Sequence, residues 1–469
     1  MIKEEKYWAE LARFAICNRP LILVGIGVDQ LRSFQVFGGE IKAAVCVLPP
    51  NLTFLPFDEA FPVLKLEART QDIFQIVVDD FAETLSRNKD QVIRFFNEVD
   101  CSRESVVVSY LPLPHALLDG RRGWAQDSGV SRWIEKKSSM AEILQNKLTV
   151  VPGEIVSRPF DLESWNSLVE RLGTSRLVLQ QTGLNGGGLG TCFCVTYPDA
   201  CKVLSKWKQH EIKISERVEG TPCNIMGSII DRSRTLTLPP SRQLVSEEDG
   251  LPVYAGNDFS PFLPDDEVAE ITREVREVGK VLAERGFRGP FGLDFIRKSD
   301  GTRLYHDINP RMNGAIDSLA FYFSRNGCDP LRVLLLGRHE WKQSDIDSLE
   351  ETLLYHVSKT PLVRFFLSKR MNRKVRTDHS LSTGIWKIGM QKSSNTDNLV
   401  LLEQPNIPTS SRLKDMHIWF NSLAPAGMIT EKNERLILGD LYCTCSTVNR
   451  LKKTIQRPLH ELFFDALLH

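Results

Sequence analysis

The hydrophobic pattern changes character twice along the chain. Near the start, Arg19-Pro20-Leu21-Ile22-Leu23-Val24-Gly25-Ile26-Gly27 is a continuous apolar run that stops at a glycine turn. Ala43-Ala44-Val45-Cys46-Val47-Leu48, closed by Pro49-Pro50, is a second. Continuous rather than alternating apolar runs predict strands buried on both faces, as in a parallel sheet. Helical periodicity between 72 and 96 and a further strand over 105–110 extend this into one small α/β domain of roughly 130 residues. From about 136 the chain turns to a helix over 140–148, a strand over 176–180, a glycine cluster and the alternating run Cys192-Phe193-Cys194-Val195. Farther on, Val268, Ile271, Val275, Val278 and Leu282 lie on one face of a helix spanning about 266–285, with Gly286 as its stop. Beyond about 336, short strands such as 399–402 and 436–438 mix with helices and carry no readable motif.

Composition narrows the class. The chain has 469 residues, 42% hydrophobic and 25% charged, which is ordinary globular usage and predicts about three domains. Its 59 basic and 59 acidic residues cancel, so no long-range field gathers a polyanion and general nucleic-acid binding is excluded. Any anion site must be local. The 10 cysteines lack the dense, regular spacing of a disulfide framework and read as reduced thiols. Cys192-x-Cys194 and Cys443-x-Cys445 read as core residues rather than zinc ligands, since one intervening residue is too few for a metal pair. Met1 to Lys6 do not open an export signal, and no apolar run approaches the length of a membrane span. The expectation is a cytoplasmic protein that works without a membrane.

Two segments carry chemistry. Gly25-Ile26-Gly27 follows a strand, but Gln30 stands where a dinucleotide fingerprint needs its third glycine, so it reads as a tight turn. Thr182-Gly183-Leu184-Asn185-Gly186-Gly187-Gly188-Leu189-Gly190-Thr191 is different: it predicts a hairpin with a long glycine tip whose N–H groups can turn inward on phosphates. No Gly-Lys-Ser/Thr closes it, so it is not a P-loop. A merely flexible tip is the plain alternative.

The second segment runs from Gly289 to Arg311. Two apolar strands flank Asp300-Gly301, a favoured hairpin turn, and that register puts Asp294 directly across from Asp307, with Asn309 on the same face. Facing like charges are destabilising without a counter-ion, and two carboxylates with an amide suit Mg²⁺, which keeps waters and adds phosphate oxygens. Arg311 follows at once, with a guanidinium able to fork onto phosphate or carboxylate.

Together the glycine hairpin, Ile214-Ser215-Glu216-Arg217-Val218-Glu219-Gly220, the Asp294 strand and Asp307-Ile308-Asn309-Pro310-Arg311 resemble the ATP-grasp superfamily over roughly 136–335. The resemblance implies ATP, with one or two Mg²⁺ ions held by Asp294, Asp307 and Asn309, and Mn²⁺ able to substitute. It implies that Arg311 stabilises transferred phosphate and that Gly186, Gly187, Gly188 and Gly190 close over the phosphates. Glu216, Arg217 and Val218 would form the hinge that meets adenine through backbone groups, with Asn224 near the ribose. Lys137 matches the lysine that reaches the phosphates from the start of the module, with Lys136 an equally placed candidate. The strand before the glycine loop normally delivers a second lysine, and Gln180 and Gln181 stand there instead. Arg242 and Gln243 are further candidates for the carboxylate or acyl phosphate.

A narrower likeness is to natural-product ATP-grasp ligases that carry an N-terminal pre-ATP-grasp domain, such as the pheganomycin-type peptide ligase and the butirosin-pathway glutamate–acyl carrier protein ligase. Val253-Tyr254-Ala255-Gly256-Asn257-Asp258-Phe259 supports it. The implied fold class is α/β with α+β lobes. A parallel-sheet domain at 1–135 precedes a two-lobed module at 136–340, with lobe 1 about 136–212 and lobe 2 about 213–340, and a small C-terminal α+β domain at 341–469. The implied function is a ligase that activates an amino-acid or peptide carboxylate as an acyl phosphate and passes it to an amine or a phosphopantetheine thiol. An acyl carrier protein is among the implied partners, with 369–376 as a basic patch to meet it, and a homodimer among the implied assemblies. Absent the second lysine, the alternative is a MgATP-binding module that serves as sensor or scaffold without turnover.

Overall fold

The computed structural model describes residues 5–16, 19–26, 34, 37–50, 61–70, 76, 80–144, 147–158, 160–182, 190–207, 210–248, 251–323, 330–337, 341–371, 375–376, 384–390, 397–403, 417–422, 429–430 and 435–454. Gly186, Gly187 and Gly188, and 372–374 of the basic patch at 369–376, lie outside them.

The two opening apolar runs become β1 (Pro20–Gly25) and β2 (Glu40–Leu48), which pair in parallel; β3 (Val63–Glu67), β4 (Val106–Val108) and β5 (Arg122–Trp124) complete a parallel sheet ordered β3-β2-β1-β4-β5. Both faces are covered. Leu21 and Leu23 of β1 enter one apolar core while Ile22 and Val24 enter another, which is why the run shows no alternation. The helical stretch divides into α-helices Phe81–Arg87 and Lys89–Val99, broken at Asn88, where the backbone leaves helical geometry.

A second sheet, antiparallel, contains β6 (Gly153–Ser157), β7 (Leu177–Gln181), β8 (Thr191–Cys194) and β9 (Glu211–Glu216) in the order β6-β9-β7-β8. Leu177, Leu179, Cys192, Cys194, Ile212 and Ile214 share its core, so the Cys-x-Cys pair is packing. Helix Lys137–Leu144, expected with this lobe, packs elsewhere: Met140, Ile143 and Leu144 lie against helix Asp265–Glu284 and the apolar face of the hairpin strands. On that longer helix Ile271, Val275, Val278 and Leu282 are buried as the spacing predicts, and Gly286 (φ +86°) follows its C-terminus.

The third sheet has 11 strands. It begins with β10 (Thr221–Ile229), β11 (Thr235–Thr237), β12 (Ser241–Glu248), β13 (Leu251–Asp258), β14 (Gly289–Arg297) and β15 (Arg303–Asn309). It continues across 340 without interruption, because β13 pairs antiparallel with Leu362–Arg370, which pairs with Arg435–Thr444. One core unites the ends of the chain: Trp8, Phe34 and Trp124 from the N-terminal region share it with Leu319, Leu353, Trp419 and Tyr442. Burial at this scale stabilises by about 1.5–3 kcal/mol per large apolar side chain.

Candidate active site

The β14–β15 hairpin sets the site, by a different route from the expected turn. Residues 299–301 form a three-residue loop in which Gly301 N–H donates to the Lys298 carbonyl (3.1 Å) and Gly301 takes φ +86°. That loop pairs Arg297 with Arg303 and Phe295 with Tyr305, a register that on its own would set Asp294 opposite His306. A β-bulge between Asp294 and Phe295 absorbs one residue and brings Asp294 opposite Asp307 after all. The bulge also breaks strict alternation: His306 lines the cavity beside Asp307.

Asp294 is buried, and three amides aim at its carboxylate: Asn224 Nδ2 at 2.5 Å, Asn309 Nδ2 at 2.9 Å and Gln243 Nε2 at 3.0 Å. Burial and, next, the charge of Asp307 push its pKa up to about 6, against the pull of the amides. Burial also opposes the charge on Asp307, but Lys137, whose Nζ lies 2.7 Å from Oδ1, outweighs it and holds that carboxyl below the usual range. The packing of helix Lys137–Leu144 against the hairpin lobe is what delivers this lysine; Lys136 is exposed. Arg311 donates to Asn309 Oδ1 (3.1 Å) and is paired with Glu135, a partner that sequence spacing did not reveal.

From the facing lobe, Gln180, Gln181 and Gly190 line the same cavity, as do Glu216 at the end of β9 and Arg217 and Val218 after it. The β7–β8 hairpin is closed by Gln181 N–H donating to the Gly190 carbonyl (2.8 Å), and Gly190 has φ +86°. Arg217 lies over the Phe193 ring at 3.9 Å. One charged residue here was missed by sequence reasoning. Lys213 sits mid-strand in β9, directly paired with Gln180, and is only 6% exposed. Its pKa falls to about 8, through burial first and then repulsion from Lys137, with Asp307 opposing. The signal in the sequence was a lysine inside the apolar run Ile212-Lys213-Ile214.

The cavity holds about 690 Å³. Its far end is built by other regions: Tyr110 and Leu111 from the N-terminal domain, Arg332, and Arg364 with Phe366 beyond 340. Arg364 is buried, with Asp440 at 2.6 Å, Asp317 at 3.0 Å and the Gly314 carbonyl at 2.8 Å.

One further expectation is corrected. Arg242 does not line the cavity: it pairs with Asp258 at 2.8 Å and lies over Phe262, and strand alternation gives the cavity-facing position to its neighbour Gln243. Asn224 lines the cavity, its amide donating to Asp294 and the Leu293 carbonyl, while its buried Oδ1 has no partner among the described residues.

A divalent cation fits the hairpin. Two carboxylates oppose each other, and burial followed by the charge of Asp307 raises the pKa of Asp294, while Asn309 lies on the same face with its Nδ2 turned to Asp294 and its Oδ1 to Arg311. Among the described residues no set of three or more His, Cys, Asp and Glu side chains gathers elsewhere or here, so a hard cation would complete its shell from phosphate oxygens and water.

No protein-family model matches the chain. A curated relative, the butirosin acyl-carrier protein–L-glutamate ligase of Niallia circulans, is 25% identical over 206 residues, which is 40% of this chain and 45% of that protein's length. Among solved structures, the L-amino acid ligase of Bacillus licheniformis superposes with a TM-score of 0.61 at 11% identity, over 97% of this chain and 99% of its own. The biotin carboxylase domain of Hydrogenobacter thermophilus 2-oxoglutarate carboxylase, crystallised with MgADP, ADP and bicarbonate, gives 0.61 at 10% identity over 92% and 89%. Biotin carboxylase of Campylobacter jejuni gives 0.60 at 10% identity over 95% and 91%. These neighbours are ATP-grasp ligases, and the chain has their fold.

Proposed function

Taking the ATP-grasp fold as the premise, we propose that the chain is an ATP-dependent ligase that activates an amino-acid or peptide carboxylate as an acyl phosphate and transfers the acyl group to an amine or a carrier-protein thiol. The observation that carries this reading is the convergence of Asp294, Asp307, Asn309, Lys137 and Arg311 at one end of a cavity large enough for a nucleotide and a second substrate. The relative's glutamate–carrier chemistry supports the thiol acceptor, and the L-amino acid ligase neighbour supports the amine. The chain is divided, in this reading, at about 135 and 340, works in the cytoplasm, and assembles as a homodimer; no helix among its described residues is long and apolar enough to cross a membrane.

Asp294, Asp307 and Asn309 would hold Mg²⁺, or Mn²⁺ in its place. The bound cation supplies neutralisation of phosphate oxygens. Val178 and the backbone of Glu216 to Val218 accept the adenine, and Lys137 donates to the phosphates. A substrate carboxylate oxygen attacks the γ-phosphorus while the bond to the β-bridging oxygen breaks and ADP leaves. Arg311, held in place by Glu135 and Asn309, stabilises the charge on the transferred group. The acceptor's nitrogen or sulfur then attacks the acyl carbon and phosphate departs, the acceptor's proton going to solvent or phosphate. Gly190 lines the cavity beside Gln181, and exclusion of water from the site protects the acyl phosphate. The far end of the cavity, with Tyr110, Arg332 and Arg364, receives the acceptor.

The test is to supply MgATP with pools of amino acids and candidate acceptors and to resolve the nucleotide products. ADP with phosphate is expected; AMP with pyrophosphate, or no nucleotide consumption with any pool, would contradict the reading.

A further inference from the structure

Lys213 is the buried cation at this site for which hydrogen bonding alone gives no reason. Strand alternation fixes where it points. Ile212 and Ile214 enter the lobe core, so Lys213 and Ser215 face the other way, and Ser215 lines the cavity. Gln180, the residue directly across the ladder, lines it too, and cross-strand partners place their Cβ atoms about 4.5–5.5 Å apart.

A buried ammonium is costly unless it is paired. Among the described residues Lys213 Nζ has one acceptor, the His306 carbonyl, and that at 3.4 Å. Asp307, the carboxylate whose charge opposes the fall in the Lys213 pKa, is already bonded by Lys137 at 2.7 Å. Lys137 therefore takes the carboxylate that Lys213 would need, and among the described residues Lys213 keeps only that long bond, beside Gln180 and Ser215, which line the cavity. An ammonium so placed is stabilised by an anion entering the cavity.

We propose that Lys213 is a phosphate ligand of the nucleotide, supplying from β9 the cation that Gln180 on β7 does not. The proposal rests on the nucleotide-binding part of the function proposed above and gives it a residue that spacing along the glycine hairpin could not identify. It also removes the ground for a binding-only module, since the phosphate end of the cavity then holds two lysines, Lys137 and Lys213.

The experiment compares Lys213→Gln, Lys213→Met and the exchanged pair Lys213→Gln/Gln180→Lys in the full chain. It reads dissociation constants for MgATP and for adenosine by calorimetry, with thermal melts to monitor the fold. Losing a charged hydrogen bond is expected to weaken MgATP about 10- to 100-fold in both single variants. Adenosine affinity is expected to stay within about twofold, and the exchanged pair to recover most of the MgATP affinity. Unchanged MgATP affinity in a folded single variant would overturn the proposal. So would equal loss of adenosine and MgATP, or a collapse of the melt that the exchanged pair does not reverse, since both mark a structural lysine. Failure of the unmodified protein to bind MgATP would bring down the nucleotide reading and this one together, whereas binding that ignores Lys213 brings down this one alone.

Discussion

At Asp294, burial and an opposing carboxylate raise the pKa to about 6, and this has two consequences of definite sign. The folded state holds the proton more tightly than the unfolded chain, so this group favours folding at low pH and ceases to do so as pH rises through about 4 to 6. For cation binding the proton is a competitor. MgATP affinity is expected to fall as pH drops below about 6, by about tenfold at pH 5, with proton release on binding visible as a buffer-dependent enthalpy. A flat affinity from pH 5 to 7.5 would contradict it. Asp307→Asn removes the charge that opposes Asp294 and the carboxylate partner of buried Lys137; turnover is expected to fall about 10²- to 10³-fold and the melting temperature to drop, as measured by ADP release and circular dichroism. Individual chemistry was partly legible in the sequence. Aspartates inside apolar β runs are conspicuous, so Asp294 and Asp307 could be found, whereas Glu135 and Gln243 meet their partners only through tertiary packing. Arg242 misled because one residue's shift along a strand exchanges the cavity face for the opposite one.

Among elements, the hairpin shows how a sequence pattern can lead to the right pairing through the wrong geometry. Asp300-Gly301 marks the turn, but the loop has three residues and the bulge at His306 restores the facing pair. Bulges leave no composition signal, so strict alternation mispositions His306. The buried helix Asp265–Glu284 was legible because its period of apolar residues runs over five turns, while the placement of helix Lys137–Leu144 against the hairpin lobe was not, since its own pattern names no partner. Near the end of β13, where it pairs with Leu362–Arg370, Gly256 has φ +133° and a Cβ there would lie 1.9 Å from the Arg364 carbonyl. Gly256→Ala is therefore expected to destabilise the fold by more than about 3 kcal/mol, measured by denaturant unfolding, with loss of soluble expression as the extreme outcome.

Across the whole molecule, the cavity is a joint product of regions distant in sequence. The N-terminal sheet brings Tyr110, the hairpin lobe brings the carboxylates, the smaller sheet brings Gln180 and Ser215 with Lys213 buried beside them, and the strand after 340 brings Arg364. The sequence divided the chain into successive stretches, but the third sheet crosses 340 and the core around Trp8 and Trp419 joins the two ends. A chain ending at 340 would leave β13 with an open edge and strip cover from Leu319, Phe321 and Tyr322; it is expected to aggregate or to lose near-ultraviolet dichroism, and a folded, monodisperse fragment would contradict that. The most direct measurement of the central claim follows oxygen. With MgATP, an accepted amino acid labelled with ¹⁸O in its carboxylate and an acceptor, acyl-phosphate chemistry predicts one ¹⁸O in each inorganic phosphate released beside ADP. Label in AMP, or unlabelled phosphate, would contradict the account.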